Sequence, residues 1–266
     1  MLFLQMNHVG KTFSDQDRKS SFEVFSEIEL NISENQFVSI LGPSGCGKST
    51  LLSMVAGLEN ATEGTITLQE KEIKQPGPDR GMVFQQPALF PWLNVRDNVT
   101  FPLKGTMSKK EANDKADHFL KMVQLTRFKN NYIYELSGGM QQRVAIARAL
   151  AMDPKVLLMD EPFGALDEQT RHILHDELMK IWQETQKTIL FVTHSIQEAI
   201  KLSDRVVVMG TRPGRIIADF TIDIARPRER ENPDVIAYEK RIMSLLEIEI
   251  NKVLKEELSN EVEYSR

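Results

Sequence analysis

Gly42-Pro43-Ser44-Gly45-Cys46-Gly47-Lys48-Ser49-Thr50 satisfies the pattern G-x-x-x-x-G-K-[ST]. Glycines at such spacing let backbone N–H groups turn inward without Cβ clashes and form an anion nest. A helix beginning at Lys48 would add its N-terminal partial positive charge. Lys48 then reaches the β and γ phosphates of a nucleoside triphosphate, and Ser49 ligates Mg²⁺. Alone, the string would be a glycine-rich structural turn. The apolar run Phe37–Leu41 before it and the helical pattern of residues 48–58 after it favour a phosphate cradle.

A second group fits the same chemistry. Val156-Leu157-Leu158-Met159-Asp160-Glu161 is an apolar strand ending in two carboxylates. Such a strand can deliver Asp160 beside a phosphate loop to hold Mg²⁺, directly or through water. Glu161 is one residue on and points elsewhere, where it can poise a water for attack on the γ-phosphate. An isolated Asp-Glu pair reads as surface acids; the glycine loop upstream favours the catalytic reading.

Leu136-Ser137-Gly138-Gly139-Met140-Gln141-Gln142-Arg143 resembles the signature motif of ATP-binding cassette (ABC) proteins, with Met140 where the family usually has Gln. By that resemblance Ser137, Gly138 and Gly139 form an anion-binding helix N-terminus that caps the γ-phosphate of ATP held by a second copy. Other family motifs follow in order. Gln85 resembles the Q-loop glutamine, a sensor of Mg²⁺ and of the attacking water. Asp167, in Ala165-Leu166-Asp167, resembles the D-loop at the dimer interface. His194, after Thr193, resembles the switch histidine that contacts the γ-phosphate and supports Glu161. Phe13 occupies the place of the aromatic that stacks on adenine, where an N-terminal strand would otherwise use it in the core. The resemblance spans residues 4–220. It implies a P-loop NTPase RecA-like α/β core, an antiparallel β subdomain, and an inserted α-helical subdomain at about 87–152, within an ATPase domain of residues 1–225.

Finer likeness points to one branch. Phe90-Pro91-Trp92-Leu93-Asn94-Val95, residues 159–167 and Arg212-Pro213-Gly214-Arg215-Ile216 resemble the nitrate/sulfonate/taurine importer group. That likeness implies an ATP-hydrolysing importer subunit, peripheral on the cytoplasmic side of the cell membrane. Its expected partners are a second copy of itself, permease subunits docking near Gln85–Trp92 and, indirectly, an extracytoplasmic solute-binding protein. Leu89, Phe90, Pro91 and Trp92 can form an apolar groove there, or simply pack a helical subdomain. A DNA-repair ATPase would carry a long coiled-coil insertion, and a translation factor two tandem cassettes; this chain has neither. A nucleotide-dependent regulatory module with little hydrolysis is the alternative, and Glu161 with His194 argues against it.

These residues need a frame of strands and helices. Ile28, Leu30 and Ile32 alternate with period two, and strands are expected at 65–68 and 82–84. Ser108 and Glu111 form a capping box ahead of a stripe of Ala116, Phe119, Leu120 and Val123. A helix after Ser137 carries Val144, Ala147 and Ala151 on one face. From residue 156 strand and helix alternate, as in a parallel sheet covered by helices. Residues 226–231 read as a charged linker, and a last amphipathic helix runs from Asn232 to about residue 258. His172 and His175 have a spacing that can bind metal, although a solvated face fits it better. The 266 residues are 41% hydrophobic with a formal charge of -5, so no basic field invites nucleic acid. A single cysteine, Cys46, excludes an internal disulfide. No run is long and apolar enough to span a bilayer, and the N-terminal residues lack a signal-peptide pattern.

Overall fold

The computed structural model describes residues 2–15 and 20–264. In chain order its elements are β1 (Leu2–Asp15), β2 (Ser20–Ser33), β3 (Phe37–Leu41), α1 (Lys48–Ala56), β4 (Glu63–Leu68), β5 (Lys71–Glu72), β6 (Arg80–Val83), α2 (Val95–Thr100), α3 (Lys109–Met122), α4 (Gly138–Ala151), β7 (Val156–Asp160), α5 (Glu168–Thr185), β8 (Thr188–Thr193), α6 (Ile196–Leu202), β9 (Arg205–Gly210), β10 (Arg215–Thr221) and α7 (Pro233–Tyr264). They fall into two compact units, Met1–Gln75 with Val192–Arg266, and Pro76–Phe191.

In the first unit, β2-β1-β4-β5 form an antiparallel sheet. The period-two pattern is realised in its register: Met6 faces Leu30 and Val9 faces Ile28, all at most 2% exposed. A second layer holds β10-β9-β3, with β3 parallel to β9. All five β3 residues are buried, as expected for a parallel strand covered on both faces. Gly57 closes α1 at φ 77, a conformation that glycine adopts without a Cβ penalty. Ile196, Ala199 and Ile200 of α6 pack with Val206 and Val208, and Val235, Ile242 and Leu246 bring α7 onto this core. The charged stretch 226–231 contains a buried cation. Arg228 is 6% exposed and donates to the Ile200, Ser203, Ile222 and Ile224 carbonyls. Two of those carbonyls close α6, whose last turn has no intrahelical donors.

In the second unit, β6 runs parallel to β7, and β8 follows in the order β8-β7-β6. Strand β6 spans residues 80–83, two residues earlier than its apolar pattern suggests. The capping box of α3 is present, Ser108 accepting from the Glu111 N–H while the Glu111 carboxylate accepts from that of Ser108; such a cap is worth about 1 kcal/mol. Ala116, Leu120 and Val123 are buried, and so are Val144, Ala147 and Ala151 of α4. No helix among the described residues is long and apolar enough to cross a membrane.

Candidate functional site

The glycine loop lies in the first unit, between the end of β3 and the start of α1. Gly45 and Gly47 have φ of 80° and 92°, in the left-handed region that only glycine enters cheaply. A Cβ on Gly42 would stand 2.6 Å from the Met209 carbonyl oxygen and 2.8 Å from Cys46 Sγ, so the backbone can approach only without one. Gly47 caps α1, with no side-chain cap and no acid in the first turn. A helix N-terminus with neither a side-chain cap nor an acid suits an anion. Ser44, Gly45 and Ser49 are exposed, and Thr50 is half-buried. Lys48 is 6% exposed, and its Nζ donates to the Gly42 and Pro43 carbonyls at 2.8 and 2.9 Å. The ammonium is thus folded over the loop, where arriving phosphates would compete for it. Burial pushes the Cys46 thiol up, with Lys48 only partly opposing.

His194 is exposed at the end of β8, also in the first unit. Its neighbours hold its backbone: the Thr193 hydroxyl donates to the buried Glu198 at 2.6 Å and accepts from the Ser195 N–H at 3.0 Å. Phe13 is 43% exposed, with Lys11 Nζ 4.6 Å from its ring centroid. Lys11 is itself fixed by Glu59 at 2.7 Å and the Asn60 carbonyl at 2.9 Å. One face of an exposed ring is therefore backed by a cation, which suits a platform better than a core residue.

The carboxylates lie in the second unit. Strand β7 ends at Asp160, and the chain turns at Glu161 with φ 44°. A glutamate in the left-handed region costs of order 1–2 kcal/mol, strain of the kind that accompanies functional turns. The Gly164 N–H donates to the Glu161 carbonyl at 3.1 Å. A Cβ on Gly164 would lie 3.2 Å from Gln85 Nε2. Gln85 is thereby brought over the turn that carries Glu161.

The same unit brings Ser137, Gly138 and Gly139 together with Asp167. Ser137 caps α4, its hydroxyl accepting from the Met140 N–H at 3.4 Å, and Ser137 and Gly138 are exposed. Gly139 admits α5 at close range, since a Cβ there would meet Thr170 Cγ2 at 2.6 Å. Asp167 caps α5 by accepting from the Thr170 N–H at 2.9 Å, a bond that also lowers its carboxyl pKa. Arg171 donates to the Leu166 carbonyl at 2.7 Å and fixes the turn.

Beyond Gln85 an aromatic cluster is exposed. Trp92 is 69% accessible, and its ring lies 5.4 Å from Phe90, which lies 4.3 Å from Phe101. Two supporting residues escaped the sequence reading. Asn98, fully buried, accepts from the Phe90 N–H and donates to the Phe90, Leu93 and Asn94 carbonyls. Arg148 donates to the Pro87 and Ala88 carbonyls at 3.0 and 2.7 Å. Both sit on helices, and their partners are backbone atoms, so no residue pattern marks them. His175 is not on a solvated face: it is 4% exposed, its ring 5.2 Å from Phe163. Among the described residues no three His, Cys, Asp or Glu side chains cluster for a metal.

The chain is similar to known proteins. The family described as "ABC transporter" matches residues 25–164. The taurine import ATP-binding protein of Ruegeria pomeroyi is 47% identical, over 84% of this chain and 83% of its own. The nitrate import ATP-binding protein of a Synechocystis species is 46% identical, over 92% and 95%. Among solved structures, a dimeric ATP-binding cassette in a post-hydrolysis state with ADP and Pi superposes with a TM-score of 0.73 at 36% identity, covering 84% of this chain and 100% of that one.

Proposed function

Because this chain belongs to the ABC transporter family, we propose that it is the ATP-hydrolysing subunit that energises an importer of small oxyanionic solutes such as nitrate, sulfonates or taurine. The observation that carries the reading is the phosphate loop, with left-handed glycines, an uncapped helix N-terminus and a lysine folded over it. The import proteins of Ruegeria and Synechocystis support the solute class.

In this reading Gly42, Ser44, Gly45 and Gly47 cradle the phosphates, Thr50 lies beside them, and Lys48 leaves its carbonyl partners to meet the β and γ oxygens. Ser49 in the first unit offers a hydroxyl, and Gln85 and Asp160 in the second offer an amide oxygen and a carboxylate, each a hard-oxygen donor of the kind that Mg²⁺ takes. When bound, the ion neutralises charge that develops on the phosphates. Glu161 poises the attacking water, and His194 and Gln85 support it at the γ-phosphate. Phe13 stacks on the base. Ser137, Gly138, Gly139 and Asp167 of one copy close on the nucleotide of another, an assembly supported by the dimeric cassette with ADP and Pi. Phe90 and Trp92 receive the permease on the cytoplasmic face of the membrane, and an extracytoplasmic solute-binding protein completes the transporter. The ATPase domain is taken as residues 1–225, with residues 87–152 as its helical subdomain.

Phosphate release tests the reading against a regulatory module with little hydrolysis. The full chain should release phosphate in a Mg²⁺-dependent way. Glu161→Gln should keep ATP, accumulate an ATP-bound dimer and turn over at least ~100-fold more slowly, as expected on losing a positioned base. A Glu161→Gln protein that hydrolyses at the normal rate refutes the assignment.

A further inference from the structure

The phosphate loop is backed by more than the strand and helix that flank it. A Cβ on Gly42 would meet the Met209 carbonyl oxygen at 2.6 Å, and one on Gly214 would meet the Cys46 carbonyl oxygen at 2.4 Å and that of Val24 at 2.9 Å. The Gly214 N–H donates to Val24 at 2.8 Å. The turn between β9 and β10 therefore touches the loop backbone to backbone, with no flexible side chain between them. A displacement of one is passed to the other, since close-packed interiors yield little.

That turn is also held by one side chain of α7. Glu249 is 3% exposed, and its carboxylate accepts from Arg215 Nη2 at 2.8 and 3.1 Å, from the Thr211 N–H at 3.3 Å and from Lys252 Nζ at 2.7 Å. Arg215 extends the network through Nη1 to the Thr211 carbonyl at 3.2 Å. A Cβ on Gly210 would lie 2.5 Å from Glu249 Oε2, so the carboxylate rests on bare backbone there. Burying an acid is costly unless it is paired. Helix α7 already has apolar anchors in Val235, Ile242 and Leu246, so its attachment does not require one.

We propose that Glu249 is a positioning residue for nucleotide binding: from α7 it fixes the 210–215 turn, which sets the back of the phosphate loop, so that ATP affinity depends on the seating of the C-terminal helix. The inference rests on the ATPase reading above. It concerns affinity, because the contacts described lie behind the loop that holds the phosphates.

The test is steady-state ATPase kinetics with ATP and ADP titrations on the full chain, comparing wild type with Glu249→Gln, Glu249→Asp, Gly210→Ala and Lys252→Ala. Glu249→Gln removes the charge at constant size, whereas Gly210→Ala pushes the carboxylate away and keeps every charge. Both should raise the KM for ATP and the Kd for ADP about three- to tenfold, with kcat within about twofold. Glu249→Asp should restore part of the affinity. Lys252→Ala, which removes a partner with 54% of its side chain exposed, should shift KM less in the same direction. Unchanged KM and Kd in whichever of these variants fold, even with a lowered melting temperature, overturn the proposal and leave Glu249 a helix clamp. A wild-type chain that releases no phosphate fails the functional reading instead, and the ADP titrations still judge the loop.

Discussion

Gly45→Ala and Gly47→Ala differ by one physical quantity, which makes them a sensitive pair. Both replace a left-handed glycine, at φ 80° and 92°, and each should lose about 1–2 kcal/mol of stability on that account. At Gly45 nothing lies within 4 Å of the added methyl. At Gly47 the methyl would stand 2.5 Å from Phe25 Cδ1 and 2.7 Å from Val24 Cγ1. Phe25 is fully buried and cannot swing aside. Overpacking of this kind adds about 1–3 kcal/mol. The expected losses are therefore about 1–2 kcal/mol for Gly45→Ala and about 2–5 kcal/mol for Gly47→Ala. Urea denaturation of the nucleotide-free chain reads both from the midpoint shift at a common slope. If Gly47→Ala is no more destabilising than Gly45→Ala, the crowding between the loop and β2 is wrong. If neither loses stability, the left-handed conformation itself is wrong.

Two further outcomes follow from the site. Trp92→Ala removes an exposed ring that supports no core, so ATPase activity of the isolated chain should stay within about twofold while co-purification with permease subunits is lost; an unaltered complex refutes docking at this cluster. Because burial raises the Cys46 pKa, its thiolate is scarce at neutral pH, and alkylation at pH 7.5 should run at least ~10-fold slower than for an exposed thiol, accelerating as pH rises or in urea; rapid labelling of native protein at pH 7.5 contradicts that burial.

What the sequence made legible depended on how local each cause is. Strands β3 and β8 occupy the residues their apolar runs suggest, because a strand buried on both faces is a continuous hydrophobic word bounded by polar residues. The α3 capping box closes within four residues and so is written in the chain itself. The glycine loop is similarly local, since its conformation is a property of Gly45 and Gly47. Strand β10 has no pattern that marks it: its residues are mostly half-buried, and among the described residues it pairs along β9 at the edge of its layer. Arg228 lies in the stretch that reads as a charged linker, yet its partners are main-chain oxygens up to 28 residues away, and any sequence supplies those. Glu249 is hidden for another reason: it is one acid among many on a long helix, and its partner Arg215 is 34 residues away. The spacing does bring the His172 and His175 rings together, with centroids 6.1 Å apart, but it does not disclose the second neighbour, Phe163, twelve residues distant and outside the helix.

The buried Asn98 has one more consequence. With four bonds it holds the Phe90–Asn94 corner rigid from beneath, so the rings above it stand in one arrangement before any encounter. A protein that seats there pays little ordering entropy at this corner, and its association rate is limited by orientation rather than by refolding of the loop. On the docking proposed above, discrimination between cognate and foreign permeases would rest on the shape of a fixed knob.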